Sequence, residues 1–565
     1  MTARPRRRLA GRSWIPAGLL AAYLLIFLAL PLGTMLKAVL VGQGGWRLGE
    51  AIAVFRDNPL YIEGLVNSVA TACGAAFLAG LAAIPVAVAV WRFRLRIPLV
   101  LGLFGFLPLF VPSFMLSLSL QSLLGRGGAI GLLLQPAFDL DPALWGLPGV
   151  AVVEAIHYFP LVLATLILTT ADSGRQAVEA SRLGISWPRL TARVFLPLGL
   201  PGAAFGMAIT FLKTLDDLAT PLSLGVTNLL APQAYFRVST YGFQDPLSSL
   251  MAMAMIGISA LVWIASAGFV RHGVTDGMTA PAAAGPSPRQ RRIAVGCLAA
   301  VSLFYLFCYS GTLLASLAGI WSHTPLPESY VASHYVSALE NETGSFVNTL
   351  VYCGIAAVID VLAGLTMALA IERSPARWQR TLSWAATGLL SVPGVALAIA
   401  YLQFFQGMQL FGRPLDATWF LLPMAFSVRG LPFAIRACAF ALQNMPAPYL
   451  EAALMSGASR LAIMLRVALP MLALGLLSAF LICFGIAAVD LSSAMLLVPS
   501  ETDAPVSYAI YLHMQTSTGR GTGSALAVLT IVAVAAAMAV AAFAVRRRGP
   551  AAGLRRIVLP ESPAQ

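Results

Sequence analysis

The sequence predicts an all-α polytopic membrane protein with twelve transmembrane helices, arranged as two parallel six-helix repeats. Three observations support this fold class. The 565 residues are 59% hydrophobic and only 10% charged, with a mean hydropathy of +0.82, whereas about a quarter of the residues in soluble domains are charged. Twelve apolar runs are long enough to cross the roughly 30 Å hydrocarbon core of a bilayer. Motifs of the first six runs recur in the last six.

The apolar runs set the positions of the predicted helices. They are 14–40, 65–90, 98–124, 145–170, 197–225 and 247–270, then 293–318, 347–371, 382–406, 418–443, 470–498 and 524–545. The first run is too long for the apolar core of a signal peptide, so we interpret it as a membrane helix. Residues 271–292, rich in Ala, Pro, Gly and Arg, are predicted to be a cytoplasmic linker between the halves 1–270 and 293–565.

Basic residues are distributed unevenly between the loops. With the N-terminus in the cytoplasm, the inner segments hold 26 of the 36 Lys and Arg, and the outer loops hold six. This positive-inside asymmetry predicts that both termini face the cytoplasm. It also explains the net charge of +13 without nucleic-acid binding, since no basic face with stacking aromatic residues is present.

Paired motifs predict that the two halves share one fold. Asn67-Ser68 opens the second run and Asn348-Thr349 opens the eighth. Pro112 lies in the third run and Pro393 in the ninth, and these two prolines are as far apart in the chain as Asn67 and Asn348. Because each half has six runs in the same order, both halves cross the membrane in the same direction, related by an axis along the membrane normal. A pore between the halves is the expected architecture.

Two loops of similar sequence follow the fourth and tenth runs. Residues 178–197 read VEASRLGISWPRLTARVFLP and residues 451–470 read EAALMSGASRLAIMLRVALP, and their glycines and final prolines occupy matching positions. In the second loop, good helix formers precede Gly457 and an amphipathic stretch follows it. We expect a short helix, a turn and a second helix on the cytoplasmic face, where a structured, apolar-faced loop suits a soluble partner.

The second loop resembles the EAA loop of binding-protein-dependent ABC importer permeases, which inserts a coupling helix into a groove of the ATPase subunit. The resemblance assigns this role to Glu179, Ala180, Gly184 and Pro197 in the first half, and to Glu451, Ala452, Ala453, Gly457 and Pro470 in the second. The first copy departs from the pattern, because Val178 stands where the family has glutamate. Weaker or different docking is therefore expected there.

The resemblance to this family implies particular partners. They are a cytoplasmic ATPase, expected as a homodimer, an external solute-binding protein and the lipid bilayer of a bacterial inner membrane. The chain is not expected to be an enzyme or to need a cofactor or metal, and its two lysines lie outside any GxxxxGK[ST] phosphate-binding loop. Among fused double permeases the chain looks most like those for ferric iron, 2-aminoethylphosphonate and thiamine, and residues 490–515 favour the first two.

Ionisable residues inside an apolar run are costly and usually face a cavity or a partner. The fifth run contains Lys213, Asp216 and Asp217, and the eleventh has Asp490 at the position matching Asp217. Lys213 and Asp217, at i and i+4, can pair on one helix face. Two interpretations stay open: the acids line the translocation path, or they orient the outer ends of their helices through hydrogen bonds.

The remaining polar residues of the apolar runs receive structural interpretations. Glu154 and His157 have the spacing of a di-iron ligand pair, but such sites need two of these motifs, so a buried hydrogen-bonded pair is preferred. Asp360 and Arg429 receive no role. The six cysteines form no CxxC pair and are interpreted as packing residues.

Two other classes of protein are less favoured alternatives. Secondary transporters of the major facilitator type also have two parallel six-helix halves, but their signature loop follows the second helix, where this chain has only VWRFRLRIP. A membrane-embedded or metal-dependent enzyme would need a convergent set of His, Asp and Glu residues. The five histidines, three of them in predicted outer loops, do not provide one.

Overall fold

Long helices dominate the computed structural model of the chain, which describes residues 15–42, 45–46, 48–93, 107–125, 127–134, 146–170, 180, 183–270, 288–321, 324–410, 412–445, 447–516 and 518–547. Within this part, ten helices are long and apolar enough to cross a membrane. The predicted all-α, polytopic membrane class is therefore confirmed.

The described part of the first half consists of helices and one short antiparallel hairpin. The helices are α1 (Ile15–Leu24), α2 (Leu30–Leu40), α3 (Leu48–Asp57), α4 (Pro59–Phe93), α5 (Ser113–Leu124), α6 (Gly131–Leu134), α7 (Leu147–Thr170), α8 (Trp187–Leu190), α9 (Leu196–Asp216), α10 (Ala219–Ser223), α11 (Leu230–Tyr241) and α12 (Pro246–Val270). The hairpin pairs β1 (Val41–Gly42) with β2 (Gly45–Trp46).

The described part of the second half consists of helices and two short antiparallel hairpins. Its helices are α13 (Pro288–Leu317), α14 (Ser333–Asn341), α15 (Thr343–Arg373), α16 (Ala376–Gly388), α17 (Gly394–Phe405), α18 (Leu421–Gln443), α19 (Ala447–Met455), α20 (Arg460–Ile463), α21 (Leu469–Ala488), α22 (Leu491–Leu497), α23 (Val506–Met514) and α24 (Arg520–Arg547). Two antiparallel hairpins pair β3 (Ala318–Ile320) with β4 (Ser329–Tyr330), and β5 (Gln409–Leu410) with β6 (Arg413–Pro414).

The predicted count of twelve membrane helices is not confirmed. At the ninth predicted span, the helical segments Thr381–Ser391 and Gly394–Phe405 are bent by 86° to each other, and they make an eleventh span only if the pair is counted as one. At the third, the described residues contain α5, a helix of 12 residues. At a rise of about 1.5 Å per residue, that is too short to cross the membrane alone.

Both interrupted spans break at the matched prolines. Pro112 and Pro393 immediately precede α5 and α17, with ψ angles of 138° and 146° that no helical residue adopts. A single 3₁₀ turn comes before each proline, at Leu107–Phe110 and Leu389–Ser391. Proline lacks an N–H and fixes φ, so a helix readily restarts after it but does not run through it unchanged. The sequence repeat therefore marks the same structural break in each half.

Helices α9 and α21 end earlier than predicted. The predicted spans were 197–225 and 470–498, but the helices end at Asp216 and Ala488, and short helices α10 and α22 follow. Asp217 and Asp490 stand at these breaks in extended conformations. Most of the predicted linker 271–292 lies outside the described residues, and its final part, 288–292, belongs to α13.

Matched hydroxyl groups fasten equivalent elements in the two halves. Ser68 on α4 accepts a hydrogen bond from the backbone N–H of Leu230 at the start of α11, at 2.8 Å. Thr349 on α15 accepts one from Val506 at the start of α23, also at 2.8 Å. Each hydroxyl satisfies a helix N-terminal donor that would otherwise lack an acceptor.

The halves are interlocked through their first helices. Within each half, α4, α7 and α9, or α15, α18 and α21, pack together. The first helices instead reach the opposite half, where α2 contacts α17 and α13 contacts α5. Tyr23 donates to Ser427 at 2.8 Å, and Tyr305 donates to the carbonyl of Ile156 at 2.6 Å. These reciprocal contacts enclose the interface between the halves.

Candidate functional site

A small cavity lies between the halves, where α9 and α21 end. Its volume is about 60 Å³, which is room for roughly four water molecules. The lining comes from both halves: Pro112, Ser113, Phe114, His157, Tyr158, Lys213, Asp216, Asp217 and Ala219, with Arg429, Ile486, Val489, Asp490, Leu491 and Ser492. The four charged residues singled out in the sequence, Lys213, Asp216, Asp217 and Asp490, therefore meet at one site.

Arg429 on α18 connects acids of both halves at this cavity. Its guanidinium forms ion pairs with Asp216 of the first half and with Asp490 of the second. The Arg429 side chain is 10% exposed and each carboxylate is 7% exposed, so each charge depends on its partner for compensation. Arg429 received no role from the sequence, and the structure gives it two ion-pair partners. The available signal was an arginine within an apolar run, which is costly unless paired.

The two matched acids each cap the short helix that follows them. Asp217 accepts the backbone N–H of Ala219 at 3.0 Å, and Asp490 accepts that of Ser493 at 3.2 Å. Such bonds satisfy the free donors at a helix N-terminus. Each acid thus lines the cavity and orients a helix, and both interpretations stay open.

The predicted ion pair between Lys213 and Asp217 is not formed. Because α9 ends at Asp216, Asp217 does not continue the helix face that carries Lys213. The Asp217 carboxylate instead accepts a hydrogen bond from Ser113 Oγ at 2.8 Å. Lys213 lines the same cavity, and among the described residues it forms no ion pair with a carboxylate.

Glu154 and His157 on α7 are buried but not hydrogen-bonded to each other. Glu154 is fully buried and His157 is 3% exposed. Both Glu154 carboxylate oxygens and His157 Nδ1 lack a hydrogen-bond partner among the described residues, although Asp217 is near both side chains. The buried pair was predicted correctly in its location and wrongly in its hydrogen bond.

The two predicted coupling loops share an unusual backbone. Gly184 and Gly457 have φ angles of +90° and +74°, the left-handed conformation in which glycine commonly ends a helix. A single π-helical turn follows in each loop, at Thr191–Phe195 and Met464–Ala468. The π turns, like the glycines, occupy matching positions in the two loops. The loops are therefore structural repeats as well as sequence repeats.

The hydrogen bonds around the glycines agree in detail. Ile185 N–H donates to Ala180 O, and Ala458 N–H donates to Ala453 O, each at 3.3 Å. Donor and acceptor are the sixth and first residues of a six-residue turn. This 6→1 hydrogen bond identifies the Schellman motif, in which the residue with positive φ lies inside the turn. Glycine is the residue type that adopts this conformation without strain from a Cβ atom.

Apolar side chains project from the tips of both loops. Leu183 is 85% exposed and Met455 is 88% exposed, and the predicted coupling residues Glu451 and Ala452 are also exposed. Large exposed apolar side chains are typical of a docking surface when they cluster at one place. Val178 and Glu179 lie outside the described residues. The divergent start of the first loop therefore cannot be compared with Glu451 and Ala452.

The end of each loop leads into a long helix. Pro197 and Pro470 lie at the first turns of α9 and α21, directly after the π-helical turns. From these prolines the two helices run to the cavity and end beside Asp217 and Asp490. Each loop is thus joined to the charged cavity by one continuous helix.

Comparisons with known proteins relate this chain to one family of transport proteins. Residues 360–549 match the profile of the binding-protein-dependent transport system inner membrane component. The ferric transport system permease protein FbpB of Actinobacillus pleuropneumoniae is 24% identical over 472 residues, which cover 80% of this chain and 66% of that protein. FbpB 1 of Haemophilus influenzae, also named for ferric transport, is 24% identical over 469 residues, covering 80% and 71%. These matches support a binding-protein-dependent ABC permease.

A match to a shorter relative supports the view that this chain contains two permease units. The molybdenum transport system permease protein ModB of Escherichia coli is 27% identical over 178 residues. That match covers 77% of ModB but only 30% of this permease, as expected when one chain joins two permease units. The resemblance to the fused double permeases is thereby supported.

The family fixes the general setting of this protein. The similarity supports a multi-pass inner-membrane component of an ABC importer, and permeases of that family work with an ATPase and a solute-binding protein. The matched proteins are permeases and not enzymes. None of these comparisons supports the alternative of a major facilitator transporter.

Proposed function

We propose that this permease forms a complete translocation pathway between its two halves, with both termini in the cytoplasm. A separate ATPase homodimer docks on the loops 178–197 and 451–470, and an external solute-binding protein delivers the solute. The observation that carries this proposal is the pair of loops with the same glycine-ended backbone and exposed apolar tips. Two equivalent docking sites suit two copies of one ATPase.

The geometry also suggests how docking moves the pathway. Helices α9 and α21 have 21 and 20 residues, so each spans about 30 Å at about 1.5 Å per residue. Each connects a docking loop directly to the acids at the cavity. We propose that ATP-driven movement of the loops is transmitted through these helices, and that Lys213, Asp216, Asp217 and Asp490 line the path.

Ferric iron is the solute that we propose. The two relatives that match 80% of the chain are named for ferric transport, and three aspartates line the cavity. An organophosphonate such as 2-aminoethylphosphonate is the second candidate. It is supported by Lys213, a cavity-lining cation without an ion pair among the described residues, which suits the anionic group of such a solute.

Reconstituted uptake tests the solute assignment. The permease would be placed in liposomes with its ATPase inside and its solute-binding protein outside, and uptake of radiolabelled ferric iron and 2-aminoethylphosphonate would be compared. We expect ATP-dependent accumulation of iron. Accumulation of the phosphonate alone would transfer the assignment to the second candidate, and accumulation of neither would contradict both.

A further inference from the structure

We propose that Asp216 and Arg429 form a one-sided latch between the halves, and that the pathway opens when this ion pair breaks. The proposal rests on the proposed function, because it takes the cavity between the halves as part of the pathway. In this proposal Arg429, which received no role from the sequence, is the gating residue of transport.

Asp216 is tied to three different elements of the opposite half. Its carboxylate pairs with Arg429 on α18 and accepts the backbone N–H of Val395 at the start of α17, at 3.3 Å. Its backbone carbonyl accepts a hydrogen bond from Ser492 Oγ on α22, at 3.0 Å. The end of α9 is therefore fastened across the cavity to the second half.

The other two acids of the cavity make their contacts within one half. Asp217 is held by Ser113 and Ala219, which belong to the first half. Asp490 is held by Arg429 and Ser493, which belong to the second. Of the three described aspartates that line the cavity, only Asp216 joins the halves through its carboxylate.

The repeat does not supply a second latch. Just as Asp217 matches Asp490, the preceding Asp216 matches Val489, whose side chain can neither accept a hydrogen bond nor form an ion pair. Helix α7, at the fourth predicted span, contains neither lysine nor arginine, so the first half has no counterpart of Arg429 there. Among the described residues, the cavity is thus fastened across the halves by charge on one side only.

The arrangement lets the latch break without leaving an isolated buried cation. The cavity of about 60 Å³ has room for only a few water molecules, so the halves must separate for a solute to pass. When they do, Arg429 keeps its pair with Asp490. Asp216 then faces the water that enters the gap, where an unpaired carboxylate is stable.

Accessibility of the cavity tests the latch in the full-length purified permease. A cysteine introduced at Ala219, which lines the cavity and is 1% exposed, would be labelled with a charged thiol reagent, and labelling of the parent chain subtracted. We expect Asp216→Asn to speed labelling about tenfold or more, because it removes one partner of a buried ion pair. Asp216→Glu, which keeps the charge, should label nearly as slowly as the chain with Asp216.

Asp360→Asn is the matched control. It makes the same chemical change at another buried carboxylate, which is 1% exposed and bonds to Ser427 within the second half. Labelling should stay slow in this variant. Unchanged labelling in Asp216→Asn, or equally fast labelling in the control, would overturn the latch.

A second variant covers the case in which Asp216→Asn does not fold. Arg429→Lys keeps one positive charge beside Asp490 but loses the planar fork that contacts two carboxylates at once, so it should also speed labelling, by a smaller factor. Slow labelling in a folded Arg429→Lys chain would contradict the proposal. This assay needs neither ATPase nor solute, so failure of the importer assignment would show in the uptake assay and not here.

Discussion

Gly184 and Gly457 occupy equivalent positions in the two halves, and both hold a left-handed backbone, with φ of +90° and +74°. Nothing lies within 4 Å of the position where a Cβ atom would stand on either glycine. The requirement for glycine is therefore conformational and not steric, which makes these positions informative to substitute.

Valine at either glycine should distort its loop. A β-branched residue in the left-handed region is strained by about 1–2 kcal/mol, so we expect Gly184→Val and Gly457→Val to reduce co-purification of the ATPase while the helices of the membrane domain stay folded. Asparagine tolerates positive φ and provides the control at each position. Equal ATPase retention in the valine and asparagine variants would show that the left-handed turn is not needed for docking.

Charge reversal in the second loop should uncouple transport. Glu451 is exposed beside the turn, and we expect Glu451→Lys and Gly457→Asp to abolish uptake and weaken ATPase binding, with normal insertion and abundance. Glu179→Lys should be milder, because Val178 replaces the usual glutamate of the first loop. Full transport in both second-loop variants would remove the coupling assignment.

Labelling of introduced cysteines tests the proposed orientation. Cysteines in the 271–292 linker should react only with reagents that reach the cytoplasm, because the positive-inside rule places this segment there. Cysteines in 328–342, which includes β4 and α14, should react with impermeant reagents added outside. Outside labelling of the linker would reverse the orientation and the assignment of the docking loops.

Substitution of the matched acids separates a pathway role from a structural one. In Asp217→Asn and Asp490→Asn the amide oxygen can still cap the following helix, so the carboxylate charge is the main loss. We expect lower uptake and lower solute-stimulated ATP hydrolysis per folded molecule. If the acids only orient helices, uptake and ATP hydrolysis per folded molecule would stay normal.

Much of the fold followed from hydrophobic runs and internal repetition. The positions of the long helices and the equivalence of Pro112 with Pro393 could be predicted, because apolar length and repeated motifs are local properties of the sequence. The breaks at these prolines and the early ends of α9 and α21 could not. They depend on backbone donors being satisfied by side chains such as Asp217 and Asp490, which the sequence alone does not locate in space.

The candidate site was predicted in part. The acids and Lys213 could be recognised as site residues because a charged side chain inside an apolar run is costly to bury. Their partners were mostly missed, because Asp216 and Arg429 are 213 residues apart in the chain and lie in different halves. Periodicity relates residues within one helix, so it suggested the i,i+4 pairing of Lys213 with Asp217, which the end of α9 removes.

The source of energy for uptake tests the central claim most directly. Liposomes containing the permease with its ATPase and solute-binding protein should accumulate solute only when ATP is supplied on the side that carries the ATPase, and the Gly457→Asp variant should not accumulate it. Liposomes containing the permease alone should accumulate none, with or without a proton gradient. Gradient-driven uptake by the permease alone would contradict the account.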